Sequence, residues 1–488
     1  MREPGQSIGV AATRPLRITF LATDAPAADD TARAALLAPA ALLGTAGAVR
    51  SDRRLRDLGV ARFGVLDRGV ERLGEAATAE RVRASGPLAV VLSAGRNGVT
   101  PSERVDDLIG VGRRLGAHGD PLRIALLGER PEDAEAVLLA GAADLALLGE
   151  PDEALPRVLE RAITAPGRWD GLPGVLWRSE AGPDGHSVRR GPAPRPAAVR
   201  STPAWDLLDL DRYASSGTDR GLLRPVRAPR RVARTATVLT SSACSPGCRT
   251  CHQSFGSSSR DRPVRDVVAE IRDLVHRRGV RQLVIADHGF DGRPARATEI
   301  ARAVARLRSA PGRGSLTMSF PSGLRGDGLT PELVEAFLSA GVRRFPLRVV
   351  SASRRLQRLL KSNVDLGAVS DGIERVVAAG GALAHLELRL GLPTETAGEV
   401  ATTIRWAQGT SAHTAAFLPG RDVDLGLAWT APDEDEIDDF PALRRRALLA
   451  FYGSPRRAAR LSRAAPKILP ELLSGVRPPL RRIARRLT

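Results

Sequence analysis

The chain is poor in several residue types, and each shortage excludes a class of protein. Aromatic residues make up only 3% of its 488 residues, too few for the stacking platforms that bind single-stranded nucleic acid. No apolar run reaches about 18 residues, so we predict no transmembrane helix. Residues 1–17 lack the apolar stretch of a secretory signal. We therefore expect a cytoplasmic protein whose thiols are reduced.

Lysine is nearly absent, and the positive charge is concentrated at one end. Of the formal net charge of +18, residues 441–488 contribute +12, almost wholly through arginine. This distribution disfavours nucleic-acid binding by the body of the protein. Within the tail, Leu480, Ile483 and Leu487 are interleaved with arginines. The pattern predicts a basic amphipathic helix, which either contacts an anionic membrane or acidic partner or packs on the rest of the protein.

Cysteine is confined to a single loop. Cys244, Cys248 and Cys251 form a C-x3-C-x2-C array and are the only cysteines of the chain. An odd number in one loop argues against a disulfide framework. Zinc would need a fourth ligand, and no second cysteine pair or histidine pair supplies one. Three thiolates without a fourth favour a [4Fe–4S] cluster with one iron open to another ligand. Zinc and unliganded thiols are the alternatives.

Residues 1–165 alternate short apolar segments with helical stretches. Strands are predicted at 16–22, 61–66, 87–93, 122–127 and 144–148, with helices at 105–115 and 131–141. This alternation predicts an α/β domain with a doubly wound parallel sheet, which binds ligands at the carboxyl ends of its strands. Residues 166–232 are rich in proline, glycine and arginine, and we expect a connector with a hairpin or two. Trp177, Trp205 and Tyr213 are predicted to be packing anchors within it.

The alternation resumes at residue 233. Strands are predicted at 233–240, 282–286, 316–319, 344–350, 384–390 and 413–418, and helices at 264–278, 295–307, 331–340, 365–379 and 397–408. Six β/α units predict a partial or complete α/β barrel over 233–430, with chemistry at the C-terminal strand ends. The cysteine loop follows the first of these strands. Residues 431–488 are predicted to form a basic helical extension.

Several segments resemble the radical S-adenosylmethionine (SAM) superfamily. Its characteristic motif is a C-x3-C-x2-C loop after the first barrel strand. LGEPDEAL at 148–155, the run at 321–341 and LGLPTET at 390–396 are similar to members with an N-terminal cobalamin-binding-type domain. The resemblance implies a Rossmann-like cobalamin-binding domain followed by a radical SAM partial TIM barrel. Residues 1–165 lack a D-x-H-x-x-G element, which fits either cobalamin bound without a histidine ligand, as in several methylases of the family, or a lost cobalamin site.

The resemblance carries a set of expectations about chemistry. Cys244, Cys248 and Cys251 would hold a [4Fe–4S] cluster whose open iron chelates SAM, and reductive cleavage of SAM would give a 5′-deoxyadenosyl radical. The favoured reaction is cobalamin-dependent methylation of an unactivated carbon in a small or lipid-like metabolite. Radical cyclisation or rearrangement without methyl transfer is one alternative. A degenerate paralogue that acts as a binding subunit is the other. An electron donor such as a flavodoxin or ferredoxin is the implied protein partner.

Two positions depart from the pattern of the superfamily. Thr250 stands where an aromatic residue usually precedes the third cysteine, and Val350 stands where a glutamate usually follows the fourth barrel strand. A ribose-binding carboxylate is therefore missing at Val350. We predict that Ser351 or Ser353 takes its place.

The remaining candidate cofactor contacts lie at two other strand ends. Asp287, after the second barrel strand, is the nearest candidate for binding the methionine amine of SAM. Gly391 and Pro393 are predicted to shape the turn after the fifth strand, where the glycine either lets backbone approach the adenine or serves turn formation alone. Glu395 is predicted to cap the following helix, because acidic side chains favour a helix N-terminus.

Overall fold

The structure is a computed structural model, and its contacts divide the chain into two units. It describes residues 15–24, 38–93, 101–116, 121–127, 131–179, 187–194, 201–215, 233–241, 261–312, 315–420 and 439–464. Unit 1 comprises Met1–Tyr213 with Arg260–Arg262, and unit 2 comprises Ala214–Ser259 and Pro263–Thr488. We describe each unit by itself.

Unit 1 is built on a seven-stranded sheet. Its strands are β1 (Leu16–Ala22), β2 (Val60–Asp67), β3 (Ala89–Ser93), β4 (Leu122–Leu126), β5 (Leu145–Leu147), β6 (Val175–Ser179) and β7 (Ser187–Arg190). The order is β2-β1-β3-β4-β5-β6-β7. The first five are parallel to one another, while β6 and β7 form a hairpin whose first strand pairs antiparallel with β5. The predicted doubly wound sheet is confirmed. Its topological switch point lies at β1, which β2 and β3 flank.

Helices pack on both faces of this sheet, over two separate clusters of buried apolar side chains. They are α1 (Ala40–Ser51), α2 (Arg53–Asp57), α3 (Arg68–Glu71), α4 (Glu75–Ala84), α5 (Pro101–Leu115), α6 (Pro131–Leu139) and α7 (Pro151–Thr164). The inner strands β3 (AVVLS) and β5 (LAL) are nearly continuous apolar runs because both of their faces are covered.

The described residues of the predicted connector are divided between the two units: those up to Tyr213 belong to unit 1, and Ala214–Ser215 pair with a strand of unit 2. Trp177 on β6, Trp205 and Tyr213 are all buried, as predicted. A Cβ on Gly47 of α1 would lie 2.1 Å from the carbonyl oxygen of Thr202, so this helix accepts the connector only where it has no side chain. The described connector residues up to Tyr213 therefore contribute to the core of unit 1.

Unit 2 contains six parallel β/α strands in two sheets. Its strands are β8 (Ala214–Ser215), β9 (Ala233–Val238), β10 (Gln282–Ile285), β11 (Thr317–Ser319), β12 (Arg344–Arg348), β13 (Leu383–Leu390) and β14 (Thr414–Pro419). One sheet has the order β11-β10-β9-β8, with β8 antiparallel, and the other has the order β12-β13-β14. A parallel bridge between Leu324 and Leu347 joins β12 to the segment that follows β11. The two sheets therefore form the wall of a partial α/β barrel.

Five helices of unit 2 lie where the sequence predicts them and two fall within the predicted helical extension, but the short helix Arg354–Leu359 was not predicted. The helices are α8 (Val264–His276), α9 (Pro294–Ser309), α10 (Pro331–Ser339), α11 (Arg354–Leu359), α12 (Leu366–Ala379), α13 (Ala397–Gly409), α14 (Phe440–Tyr452) and α15 (Pro455–Ala464). Four phenylalanine rings, those of Phe290, Phe320, Phe337 and Phe345, pack in a chain with centroids 4.8–6.1 Å apart. They fill the space between the strands and α10.

Residues 439–464 of the predicted basic extension pack on the barrel. The Tyr452 hydroxyl donates to the carbonyl oxygen of Ala415 (3.1 Å) and accepts from its amide (2.9 Å), so it occupies the outer edge of β14. Arg457 lies 3.6 Å from the centroid of the Phe451 ring. It donates to the carbonyl of Gln408 at the end of α13 (2.8 Å). Residues 465–488, which include the predicted amphipathic helix, lie outside the described residues. Among the described helices, none is both long and apolar enough to cross a membrane.

Candidate cofactor site

The three cysteines lie outside the described residues, but the chain leading to them does not. Strand β9 ends at Val238, and the described chain continues to Ser241, three residues before Cys244. Thr250 is also outside the described part. Within the described part, no group of three or more His, Cys, Asp and Glu side chains could hold a metal ion. The described residues of this site therefore support the cysteine loop rather than supply ligands.

Asp287 binds the first part of this loop. Its Oδ1 accepts from the Thr240 amide at 2.7 Å, and its Oδ2 accepts from the Thr240 hydroxyl at 2.5 Å and the Ser241 hydroxyl at 2.9 Å. Arg296 of α9 donates to the Thr240 carbonyl (2.9 Å) and hydroxyl (3.0 Å). The polar groups of Thr240 therefore all have partners on two neighbouring elements. Binding of the methionine amine by Asp287 stays a prediction.

Burial and hydrogen bonding act in opposite directions on Asp287. Desolvation raises the pKa of its carboxyl, while the hydrogen bonds from Thr240 and Ser241 and the charge of Arg296 lower it. When both oxygens of a buried carboxyl group accept hydrogen bonds, the donors are held in one geometry.

A second buried aspartate lies four residues further on and performs a different task. Asp291 accepts from the Arg325 amide at 2.8 Å and the Gly326 amide at 2.7 Å. It therefore fixes the segment between β11 and α10 and makes no described hydrogen bond to the cysteine loop. Burial raises the pKa of its carboxyl as well. The two aspartates are alike in burial but differ in what they hold.

The two serines after β12 connect neighbouring loops. The Ser351 hydroxyl shares a hydrogen bond with that of Thr403 (3.2 Å) and accepts from the Ser353 amide (3.1 Å). The Ser353 hydroxyl caps α11 by accepting from the Leu356 amide and donates to Oε1 of Glu399 at 2.6 Å. Both hydroxyls thus tie the loop after β12 to α13. Their predicted contact with a ribose stays a prediction.

The turn after β13 contains Gly391 and Pro393 and is held by Glu395. Gly391 has φ = 73°, a conformation that favours glycine. Oε2 of Glu395 accepts from the amides of Gly391 (2.7 Å) and Leu392 (3.0 Å). The prediction that Glu395 caps the next helix is wrong. Thr396 is the N-cap of α13, because the Glu395 side chain folds back under its own turn.

The two glutamates of this region have opposite electrostatics. Glu395 is fully buried, and burial raises its pKa to about 7. Its Oε1 has no hydrogen-bond partner among the described residues. Glu399 completes the capping box of α13, and hydrogen bonds from Arg355 lower its pKa to about 2. Near pH 7 one carboxyl can exchange a proton, while the other stays ionised.

The inner face of the three-stranded sheet carries several charged side chains among apolar ones. Phe345 and Phe417 lie on the face that contacts the helices, since their rings pack on α10 and α14. The strand register places Arg348 and Glu387 on the opposite face, where Nε of Arg348 donates to Oε2 of Glu387 at 3.2 Å. Arg389, two residues along β13, lies on this same face. Such a face suits a ligand with polar groups.

In unit 1, small polar residues end the strands at the switch point. The amide and hydroxyl of Thr23, just after β1, both donate to the carbonyl of Ser93 at the end of β3 (3.0 and 3.3 Å). Asp67 at the end of β2 accepts from the Tyr213 hydroxyl at 2.5 Å. Among the described residues of unit 1 there is no histidine.

One sequence family matches the second unit. The model of the Radical SAM superfamily matches residues 238–407, from the last residue of β9 to α13. Residues 238–407 are a radical SAM domain. Its first residues lead directly into the C-x3-C-x2-C loop, at the catalytic end of the barrel strands. The match indicates an enzyme. No curated protein matches the chain in sequence.

Two solved structures are similar to most of this chain, including its radical SAM domain. One is the radical SAM methyltransferase TsrM from Kitasatospora setae, with cobalamin and a [4Fe–4S] cluster bound. Its TM-score is 0.58 at 19% identity, over 83% of this chain and 72% of that one. The other is OxsB, a cobalamin-dependent SAM radical enzyme. Its TM-score is 0.58 at 14% identity. The similarity covers 92% of this chain and 56% of OxsB. At this identity the likeness shows the fold.

Sequence reasoning missed three residues that support the cysteine loop of the radical SAM domain. They are Thr240, Ser241 and Arg296. The hydroxyl-rich run TSSAC was the only local signal. Arg296 gave none, because its partner is 56 residues away in sequence. The inner face had a clearer signal: alternation in LAHLELRL places His385, Glu387 and Arg389 on one side of a strand.

Proposed function

We propose that the chain is a [4Fe–4S]- and SAM-dependent radical enzyme that uses cobalamin to methylate an unactivated carbon. The observation that carries this proposal is the position of the C-x3-C-x2-C loop directly after β9 of a radical SAM domain. The preceding unit adds support, since its parallel sheet has the order of a doubly wound ligand-binding fold. TsrM and OxsB, both cobalamin enzymes by description, combine similar units.

The donor set suits a cluster. Cys244, Cys248 and Cys251 offer three thiolates on one loop, and the described start of that loop is held by Asp287 and Arg296. When bound, the cluster and SAM supply a 5′-deoxyadenosyl radical, and the cofactors carry that chemistry. The protein's part is to bind and orient them. Because the thiolates must stay reduced, we place the enzyme in the cytoplasm.

The described residues of unit 1 suit cobalamin held without a histidine ligand. Thr23 and Ser93 leave the switch point lined by small side chains and backbone groups. Ligands of doubly wound sheets bind at this edge. The inner face of the three-stranded sheet, with Arg348 and Glu387, favours a substrate with hydrogen-bonding groups within the proposed small or lipid-like class. A flavodoxin or ferredoxin would supply the electron, and contact of the 441–488 tail with an anionic membrane is part of the proposal.

Anaerobic reconstitution of the full chain with iron and sulfide tests the cluster. We expect the wild type to bind about four irons and to give the absorption of a [4Fe–4S] centre. Cys248→Ala should bind clearly less iron while keeping its far-ultraviolet circular dichroism. Equal iron uptake by the two proteins would refute the cluster. Retention of hydroxocobalamin by the full chain after gel filtration, read from its visible spectrum, tests unit 1.

Product analysis separates methylation from other radical chemistry. With a reductant, SAM, cobalamin and a candidate substrate, the proposed methylase releases S-adenosylhomocysteine as well as 5′-deoxyadenosine. This follows because a SAM molecule that gives up its methyl group leaves S-adenosylhomocysteine. A cyclase would release 5′-deoxyadenosine alone. Absence of both products from a cluster-loaded protein with a panel of substrates would favour the binding subunit instead.

A further inference from the structure

We infer that Asp287 and Arg296 are positioning residues that fix the start of the cysteine loop and so hold the cluster ligands in place. This inference rests on the proposed function. It assigns Asp287 a different role from the contact with SAM that the sequence predicts. It also adds Arg296, on which the sequence was silent.

Five hydrogen bonds converge on two consecutive residues of the loop. Asp287 accepts from the Thr240 amide, the Thr240 hydroxyl and the Ser241 hydroxyl at 2.5–2.9 Å. Arg296 donates to the Thr240 carbonyl and hydroxyl at 2.9 and 3.0 Å. Thr240 is completely buried. A residue whose amide, carbonyl and hydroxyl are all bound by charged side chains has little freedom to move.

The two anchors stand on rigid elements. Asp287 lies two residues beyond β10, the strand that pairs with β9 along residues 235–238. Arg296 lies in the first turn of α9, a helix of 16 residues. A site supported from strands and helices is more precise than one supported by loops alone. The strand and the helix therefore both determine where the chain leaves the barrel wall.

The anchored residues are close enough to the ligands to matter. Ser241 precedes Cys244 by three residues, and three residues of extended chain span at most about 11 Å. Fixing Thr240 and Ser241 thus confines the first thiolate to the neighbourhood of the strand end. Groups that orient metal ligands from outside typically change metal affinity or activity by roughly 10- to 100-fold when they are removed.

Asp291 provides a matched control. It is as buried as Asp287 and likewise accepts two or more hydrogen bonds, but its partners are the Arg325 and Gly326 amides. Asp291→Ala should therefore perturb the fold without acting on the cysteine loop through hydrogen bonds. Any general effect of losing a buried aspartate is common to the two substitutions.

The test compares cluster retention in the wild type and three variants, with Asp287→Asn as an additional conservative variant. Wild type, Asp287→Ala, Arg296→Gln and Asp291→Ala are reconstituted anaerobically as full chains, and iron release to a chelator is timed while circular dichroism confirms the fold. We expect release to be roughly tenfold faster in Asp287→Ala and Arg296→Gln than in Asp291→Ala. The electron paramagnetic resonance signal of the reduced cluster should change in the first two only. Asp287→Asn, which keeps one acceptor oxygen, should recover part of the retention.

The outcomes are distinguishable. A wild type that binds no iron refutes the proposed function itself. A wild type that loads normally, with equal iron release and unchanged spectra in all three variants, overturns the positioning role. If Asp287→Ala does not fold, Arg296→Gln decides, because Arg296 is only partly buried. Faster amide hydrogen exchange at Thr240 in cluster-free Arg296→Gln would support the role independently of any metal.

Discussion

The buried carboxyl groups that follow β10 and β13 differ in their hydrogen bonding. After each strand a buried carboxyl group accepts hydrogen bonds from backbone amides at 2.7–3.0 Å. At the end of β10, both oxygens of Asp287 have donors, and Arg296 lies nearby. At the end of β13, only Oε2 of Glu395 has donors among the described residues. The first arrangement fixes a loop, while the second leaves a carboxyl able to take up a proton.

The neighbours of the two carboxyl groups explain the difference. Arg296 contributes positive charge at Asp287. Near Glu395 the cation Arg355 is engaged by Glu399, through contacts of 2.9 and 2.7 Å. Glu399 adds negative charge that raises the pKa of Glu395 further. A buried acid without its own cation costs free energy when it ionises.

The largest effect in this comparison should come from Glu395→Gln. Glu395 has a pKa of about 7 in the folded protein, whereas its ordinary value is 4.5. The wild type therefore loses stability as the pH rises from 4.5 to 7. Glutamine keeps an oxygen for the Gly391 and Leu392 amides but never ionises. We expect the free energy of unfolding of the variant to exceed that of the wild type by about 2–3 kcal/mol at pH 8. At pH 4.5 the two free energies of unfolding should be about equal. Urea titrations at several pH values measure this.

Exposed Glu335→Gln on α10 is the control for the loss of one negative charge. It should change the free energy of unfolding little, because substitutions of exposed side chains away from the core and from helix caps have small effects. A stability difference between wild type and Glu395→Gln that stays constant from pH 4.5 to pH 8 would contradict the proton uptake at the end of β13.

Glu399→Gln should have a smaller effect and the opposite sign. Its carboxylate caps α13 and accepts from Arg355, and its pKa is lowered to about 2. A lowered pKa contributes stability above pH 4.5 that is lost as pH falls toward 2. We expect the variant to be less stable than wild type by about 1 kcal/mol at pH 7 and nearly equal to it at pH 2. Thermal unfolding at both pH values checks the sign.

A double-mutant cycle refines this result. Arg355→Gln should cost a similar amount at pH 7, and the combined variant should cost little more than either single one, because both remove the same contact. Fully additive losses would show that the two side chains act independently.

Effects of at most about 1 kcal/mol are expected from the backbone of the two turns. Gly289, after β10, has φ = 62°, and Thr394, after β13, has φ = 64°. A β-branched residue in this conformation is strained, whereas glycine is not. We expect Gly289→Ala to lower the free energy of unfolding by about 1 kcal/mol and Thr394→Asn to raise it by about 0.5 kcal/mol, since asparagine tolerates this region. Urea unfolding at pH 7 measures both changes. If the two substitutions changed the free energy of unfolding in the same direction and by the same amount, backbone strain at Thr394 would be contradicted.

Sequence periodicity predicted the elements well. The strand predicted at 344–350 is observed as Arg344–Arg348, and the helix predicted at 365–379 is observed as Leu366–Ala379. Such elements are readable because apolar spacing of 2 or 3.6 residues is a local property. The cysteine spacing was equally local, and it led to the family that the second unit matches.

The connections between elements were not readable. Asp287 was recognised as a residue at a strand end, but its partner Thr240 is 47 residues away, and the pairing depends on the register of β9 and β10. Glu395 was assigned to the wrong task because acidic residues favour helix N-termini in general. Here the buried amides of Gly391 and Leu392 compete successfully for its carboxylate.

The sequence by itself determined the alternation of strands and helices, the succession of a Rossmann-like fold and a barrel, and the presence of three cysteines on one loop. Each of these depends on residues close together in the chain. Only the tertiary structure decided which buried carboxyl holds the cysteine loop and which keeps an unused oxygen. Hydrogen-bond partners depend on strand register and on the direction of each side chain. These bring together segments that are distant in sequence, so the partners cannot be read from local composition.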